Sequence, residues 1–205
     1  MRIIAGIAGS RPILAPKGRE TRPTLDRVRE NLFNILRDRT ENARILDLFA
    51  GSGALSLEAL SRGAAFAVLV DKDREAHLTE KKNGDNLGFM DRMCLMHTDW
   101  RKAVSTLRDQ GKRFNLIFLD PPYKMTDLTE VTEALVPLST PDTLVILEHE
   151  TGVSPLVSAA FRNTDNRKWG FASVSFYRPA SDNVSSENPA QAETENETEG
   201  PDKRE

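Results

Sequence analysis

Residues 115–124 read NLIFLDPPYK, an apolar run that ends abruptly on a carboxylate, two prolines and a phenol ring. Prolines fix φ and carry no N–H, so the turn they make offers acceptors and no donors. Asp120 supplies a carboxylate and Pro121 a backbone carbonyl, and an amino group lying between them meets only acceptors. Tyr123 adds a ring on which a planar base can stack. The exocyclic amine of a nucleobase is a poor nucleophile because its lone pair is delocalised into the ring. Two acceptors holding its hydrogens favour a pyramidal nitrogen and aim the lone pair at an electrophile. Taken alone, the same four residues also read as a Pro-Pro turn closing a strand, with Asp120 as a cap.

A second constellation precedes it. DLFAGSG, residues 47–53, stands where a strand would turn into a helix, and Gly51 and Gly53 allow close approach of a ligand to the backbone. Ala54, Leu55 and Ser56 follow, so the third glycine of a dinucleotide fingerprint is missing, and no phosphate-binding lysine follows either. Asp71 closes the next apolar run, eighteen residues beyond Gly53, where a carboxylate can accept both hydroxyls of a ribose. HTDW, residues 97–100, ends the third. Asp99 there can accept from an adenine amine under cover of Trp100, or can cap the helix that follows. Asp47, Asp71, Asp99 and Asp120 thus finish four successive strand-like runs, and ligands of open α/β sheets bind at those ends.

The elements that would position these groups alternate. Residues 2–15 suggest a short hairpin with Gly6, Gly9 and Ser10 near its turn, and PTLDRVRENLFNILRDR a helix with Leu25, Val28, Leu32, Ile35 and Leu36 at helical spacing and Thr24 as N-cap. Strands are expected at 44–49, 65–71, 93–97, 114–120 and 143–150, and helices at about 54–62, 73–83, 100–109, 127–136 and 153–161. RKWGFAS into VSFYR would close the chain as two antiparallel edge strands. The pattern implies an α/β fold with a largely parallel sheet and crossover helices.

Composition narrows the setting. The 205 residues are 39% hydrophobic, enough for one sizeable core, and no long apolar run suggests a membrane span or signal peptide. Cytoplasmic residence is expected. Cys94 is the single cysteine, read as core packing, and His77, His97 and His149 are dispersed, so no metal site is expected. The net charge of −3 conceals an asymmetry: residues 181–205 hold eight acidic and two basic side chains, while residues 1–39 hold nine basic and four acidic. The first segment suits a polyanionic partner. The second lacks the apolar surface to offset its ordering entropy and is expected to be disordered.

The order DLFAGSG, VLVDKD, HTDW, LDPPY resembles S-adenosylmethionine-dependent methyltransferases that modify exocyclic amines. IIAGIAGSRPILAPKG and TRPTLDRVRENLFNIL extend the likeness to the bacterial 16S ribosomal RNA guanine-N2 methyltransferase family, through KWGFASVSFYR. The resemblance implies a Rossmann-like seven-stranded class I methyltransferase sheet over residues 41–180, with an RNA-facing hairpin and basic helix at 1–40 and the acidic tail outside the pattern. It implies S-adenosylmethionine held by Asp47, Phe49, Gly51, Ser52, Gly53, Asp71, Lys72, Asp99 and Trp100. Guanine N2 would be held by Asp120, Pro121, Pro122 and Tyr123. Arg11, Arg19, Arg22, Arg27 and Arg29 would face 16S rRNA, in the small subunit or its assembly intermediate, and a monomer is expected. A DNA amino-methyltransferase, a nicotinamide-dependent oxidoreductase and a non-enzymatic RNA-binding assembly factor remain the rival readings. The first lacks room for a separate target-recognition domain and the second leaves DPPY unexplained, while the third sits poorly with an intact DPPY and glycine loop.

Overall fold

The computed structural model describes residues 1–16 and 23–180. Its sheet has seven strands: β1 (Arg44–Asp47), β2 (Phe66–Asp71), β3 (Met93–His97), β4 (Phe114–Leu119), β5 (Ser139–Glu150), β6 (Phe161–Trp169) and β7 (Ala172–Pro179), in the spatial order β3-β2-β1-β4-β5-β7-β6. The first five are parallel, and β7 runs antiparallel between β5 and β6. The helices are α1 (Pro23–Leu36), α2 (Ala54–Ser61), α3 (Arg74–Leu87), α4 (Trp100–Asp109) and α5 (Thr129–Leu135).

Alternation along the strands builds two cores. Ile45, Leu69, Leu116, Phe118 and Ile146 meet Leu32 and Phe33 of α1 and Leu57 and Leu60 of α2, whereas Leu46, Val70, Ile117, Leu119 and Leu147 meet Val104 and Leu107 of α4 and Val131 and Leu135 of α5. The polypeptide reverses direction over the sheet at β1/β4, so the loops after β1 and β4 open from one another at the carboxyl edge, the switch point where such sheets bind ligands.

The N-terminal hairpin is narrower than expected, a single antiparallel bridge between Arg2 and Pro12. It shares the first core through Ile3, Ala8 and Ile13. It is held there by α2. Glu58, fully buried, accepts from the N–H groups of Ile4 (2.7 Å) and Ala5 (3.1 Å), and Ser61 Oγ accepts from Ala8 N–H (3.0 Å) while donating to Ala5 O (2.6 Å). Gly6 takes φ +84° because a Cβ there would stand 1.9 Å from the Ser61 carbonyl oxygen.

Several expectations change. Residues 153–160 are not a helix: the segment runs extended beside the loop before α5, with Leu128 N–H donating to Leu156 O (2.8 Å) and Leu156 N–H to Thr126 O (2.9 Å). Pro155, without an N–H and with its φ fixed, disfavours a helix through this segment. Helix α1 begins at Pro23, so Thr24 is its second residue and not its cap. Ile35 lies off the buried stripe of α1 and is exposed. Cys94 is exposed too, because β3 is an edge strand that pairs only with β2. The expected acidic tail, 181–205, lies outside the described residues. No helix among the described residues is long and apolar enough to cross a membrane.

Candidate active site

The loop after β1 turns on two left-handed glycines, Gly51 (φ +58°) and Gly53 (φ +76°). Gly53 N–H closes onto Ala50 O at 2.7 Å, and Gly53 caps α2, whose first turn supplies Ser56. Ser56 Oγ donates to Asp47 Oδ2 at 2.9 Å. Asp47 Oδ1 has no hydrogen-bond partner among the described residues, although the side chain is buried. Burial above all, with the charges of Asp120 and Asp71 adding and the Ser56 bond opposing, pushes Asp47 up to about 7.

Asp71, at the end of β2, braces the same loop. Its Oδ2 accepts from Gly51 N–H at 2.9 Å and its Oδ1 from Asp73 N–H at 2.9 Å. A carboxylate has about four lone-pair sites, so acceptor capacity remains. Asp99 is exposed and caps α4, accepting from Arg101 N–H at 2.9 Å, which is the capping alternative its sequence position allowed. Trp100 is buried in the second core with the Arg101 guanidinium 4.4 Å from its ring centroid, so its ring is a floor beneath the β3 end and not an open stacking face. Lys72 is exposed, and its carbonyl lies 3.2 Å from His97 Nε2. His97 and His77, expected to be dispersed, stack with ring centroids 5.2 Å apart. Among the described residues no cluster of three metal-ligating side chains forms.

After β4, Pro121 is buried and Pro122 exposed. Met125 N–H donates to Pro122 O at 2.7 Å, which places Tyr123 and Lys124 at the tip of a turn, with the Tyr123 ring 59% exposed. Asp120 borders a cavity of about 140 Å³ with Asp47, Phe49, Gly51, Ser52 and Glu148. The cavity thus joins the glycine loop to the first residue of the DPPY turn. Its far wall is α1, through Val28, Arg29 and Leu32.

Arg29 is the clearest correction among the basic residues. It is buried, not RNA-facing, because it shares the helical stripe of Leu32, Phe33 and Leu36, and it pairs with Asp26 (3.0 Å) and Glu58 (3.7 Å) and donates to Arg2 O. Arg27 is exposed. Arg11 is exposed too, and its guanidinium donates to Leu87 O (3.2 Å) and Asn86 O. Arg19 and Arg22 lie outside the described residues.

Three carboxyls went unread in the sequence: Glu58, Glu80 and Glu148. Glu80 sits on α3 behind the glycine loop, fully buried with neither oxygen hydrogen-bonded among the described residues, and burial followed by the charges of Asp47 and Asp71 pushes it up to about 8. A signal existed, since Ala76, Thr79, Glu80, Asn83 and Leu87 recur at helical spacing on one buried face. Glu148 continues the alternation of Leu144 and Ile146 on β5.

This strand order, with a glycine loop after the first strand and an acceptor turn after the fourth, is the sheet of the class I methyltransferases. A solved structure titled "Putative methyltransferase yhhF from Escherichia coli" matches it with TM-score 0.73 and 35% identity, over 87% of this chain and 97% of that one. The chain belongs to the family described as "Conserved hypothetical protein 95", whose family model matches residues 1–178. It is 34% identical over 181 residues to "Putative rRNA methyltransferase YlbH" of Bacillus subtilis, covering 87% of this chain and 98% of the relative. Over 135 residues it is 41% identical to "Ribosomal RNA small subunit methyltransferase D" of Escherichia coli, 66% of each protein.

Proposed function

We propose that this chain transfers the methyl group of S-adenosylmethionine to the exocyclic N2 of a guanine in 16S ribosomal RNA. The observation that carries the reading is the single cavity shared by Asp47, the glycine loop and Asp120. The names of its relatives, "Putative rRNA methyltransferase YlbH" and "Ribosomal RNA small subunit methyltransferase D", support the substrate class.

The donor set fits the cofactor. Asp47 Oδ1, without a partner among the described residues, is a buried acceptor on the cavity wall, and the ammonium group of S-adenosylmethionine is a donor that would satisfy it. Asp47, Phe49, Gly51, Ser52 and Gly53 would line its methionine end, Asp71 and Lys72 its ribose, and Asp99 its adenine above the Trp100 floor. When bound, the cofactor supplies an electrophilic methyl group. Asp120 and the Pro121 carbonyl accept the two N2 hydrogens and direct the nitrogen lone pair into the cavity. Tyr123 stacks the extruded base, returning about 1–3 kcal/mol against an extrusion cost of a few kcal/mol. Positioning of this kind supplies roughly 7–11 kcal/mol where orientation is complete. The amine proton leaves to water once nitrogen is alkylated, so a strong base is unnecessary. Arg11 and Arg27, with Arg19 and Arg22, would meet the RNA backbone.

The test is transfer of labelled methyl to unmodified small subunits, naked 16S RNA and DNA, followed by nucleoside analysis. Label in N2-methylguanosine from a ribosomal acceptor is the expected result, and label confined to DNA adenine would overturn the substrate. Asp120→Ala should lower turnover by roughly 10²-fold or more, the scale for losing one preorganised polar contact, while cofactor affinity holds. Near-normal turnover would remove Asp120 from the mechanism.

A further inference from the structure

Beta strands β4 and β5 are parallel neighbours in the register Leu119↔Leu147. Asp120 directly follows β4 and Glu148 follows Leu147 within β5, so the two lie beside one another on neighbouring chain segments whose strands run about 4.7–4.9 Å apart. Leu119 and Leu147 both face the second core. By alternation the next residue on each strand faces the opposite way, towards α1. Both carboxyl residues accordingly border the same cavity. Glu148 also lines the small hollow beneath the turn, together with Pro121, Pro122 and Tyr123. It is thus common to the chamber of the glycine loop and to the turn that would hold the base, and the roles proposed above leave it unused.

Resting on the guanine-N2 reading, we infer that Glu148 reads the target base, accepting a hydrogen bond from guanine N1–H while Asp120 and the Pro121 carbonyl hold N2. The chemistry follows from the edge of the base. N1–H lies next to the N2 amine, and O6 lies next to N1–H. A base whose N2 sits between Asp120 and Pro121 presents N1 to the adjacent strand, where Glu148 stands. Burial and then the Asp120 charge push Glu148 up to about 8, so at neutral pH it holds its proton. A neutral carboxyl has one acceptor and one donor oxygen, the complement of N1–H and O6. Among the described residues the other charged side chains lining this cavity are Asp47, Asp120 and Arg29, together with Met1 at the chain's N-terminus, and Arg29 is already paired with Asp26 and Glu58.

The decisive experiment is a double-mutant cycle between protein and base. Small subunits are reconstituted with 16S RNA carrying guanosine or 1-methylguanosine at the nucleotide that the wild-type enzyme methylates. Methyl transfer is measured at saturating cofactor for wild type, Glu148→Ala and Glu148→Gln. With guanosine, Glu148→Ala should lower kcat/KM by roughly 10–100-fold, the scale of a good polar base contact. Glu148→Gln, which keeps the acceptor and donor pattern, should stay within about threefold of wild type, as expected if the pattern rather than the charge is what the base meets. The 1-methyl group should cost wild type roughly 10–100-fold and cost Glu148→Ala far less. Additive losses, with the 1-methyl group equally harmful in both proteins, would overturn the assignment and leave Glu148 a structural residue. Absence of N2-methylguanosine from wild type on unmodified subunits would instead sink the guanine-N2 reading itself, so the two failures are distinct.

Discussion

Glu80→Gln should remove an unusual dependence of stability on pH. Glu80 is fully buried with neither carboxyl oxygen hydrogen-bonded among the described residues, and burial holds it at about 8 against an ordinary 4.5. His77 Nδ1 lies 3.9 Å from Glu80 Oε2, but burial and then His97 and Lys81 hold that imidazole below its ordinary range, so no cation answers the carboxylate at neutral pH. An acid whose folded value is raised keeps a proton that the unfolded chain gives up. Stability is therefore lost as pH rises from 4.5 towards 8, the reverse of ordinary acid denaturation. The shift corresponds to about 1 kcal/mol lost at pH 5 and about 4 kcal/mol at pH 8. The amide does not ionise, so urea unfolding should show the variant gaining about 3 kcal/mol on wild type between those pH values. Asp47, at about 7, gives both proteins a slope of the same sign and largely cancels in the difference. Because the amide has its own packing cost, the change with pH is the readout and not the absolute stability. A difference constant within about 0.5 kcal/mol from pH 5 to pH 8 would refute the reasoning and mean that Glu80 finds a partner or water in solution.

Two other perturbations separate the parts of the site. Tyr123→Ala should lower kcat/KM for the ribosomal acceptor by roughly 5–150-fold, from about 1–3 kcal/mol of lost stacking, while cofactor affinity measured by calorimetry stays within about twofold. Equal losses in both would contradict its place as a base platform. Gly6→Ala should lower Tm by at least about 4 °C, since left-handed strain of roughly 1–2 kcal/mol adds to the collision with Ser61 O. An unchanged Tm would show that the hairpin does not dock on α2 in solution.

The sheet was legible where burial on both faces wrote continuous apolar runs, as in FAVLVD and FNLIFL. The order of strand ends then placed Asp47, Asp71 and Asp120 around one edge with no knowledge of packing. What escaped was set by helix faces and edges. The resemblance alone turns Arg29 towards RNA, whereas its spacing to Phe33 and Leu36 puts it on the core stripe. Trp100 and Asp99 were read as a pair, yet a cap and the first residue of a helix point to opposite environments. Glu148 was hidden inside an apolar strand whose alternation also gave its facing. The helix expected at 153–161 is absent, because the contact that fixes Leu156, with Asp127 and Leu128, comes from a segment nearly thirty residues away.

The placement of β7 has a consequence for how the molecule is made. Strand β6 pairs with β7 alone, and only β7 pairs with β5. During synthesis β6 emerges first and has no seat on the growing sheet. The open flank of β5, which carries Glu148, stays unpaired until residues 172–179 have left the ribosome and inserted between the two. A chain arrested just before Ala172 would thus lose two strands from the sheet, with the translated β6 left unanchored and the β5 side of the candidate site exposed as a sticky edge. The newly made chain completes the flank of its candidate site only with β7, the last strand among the described residues.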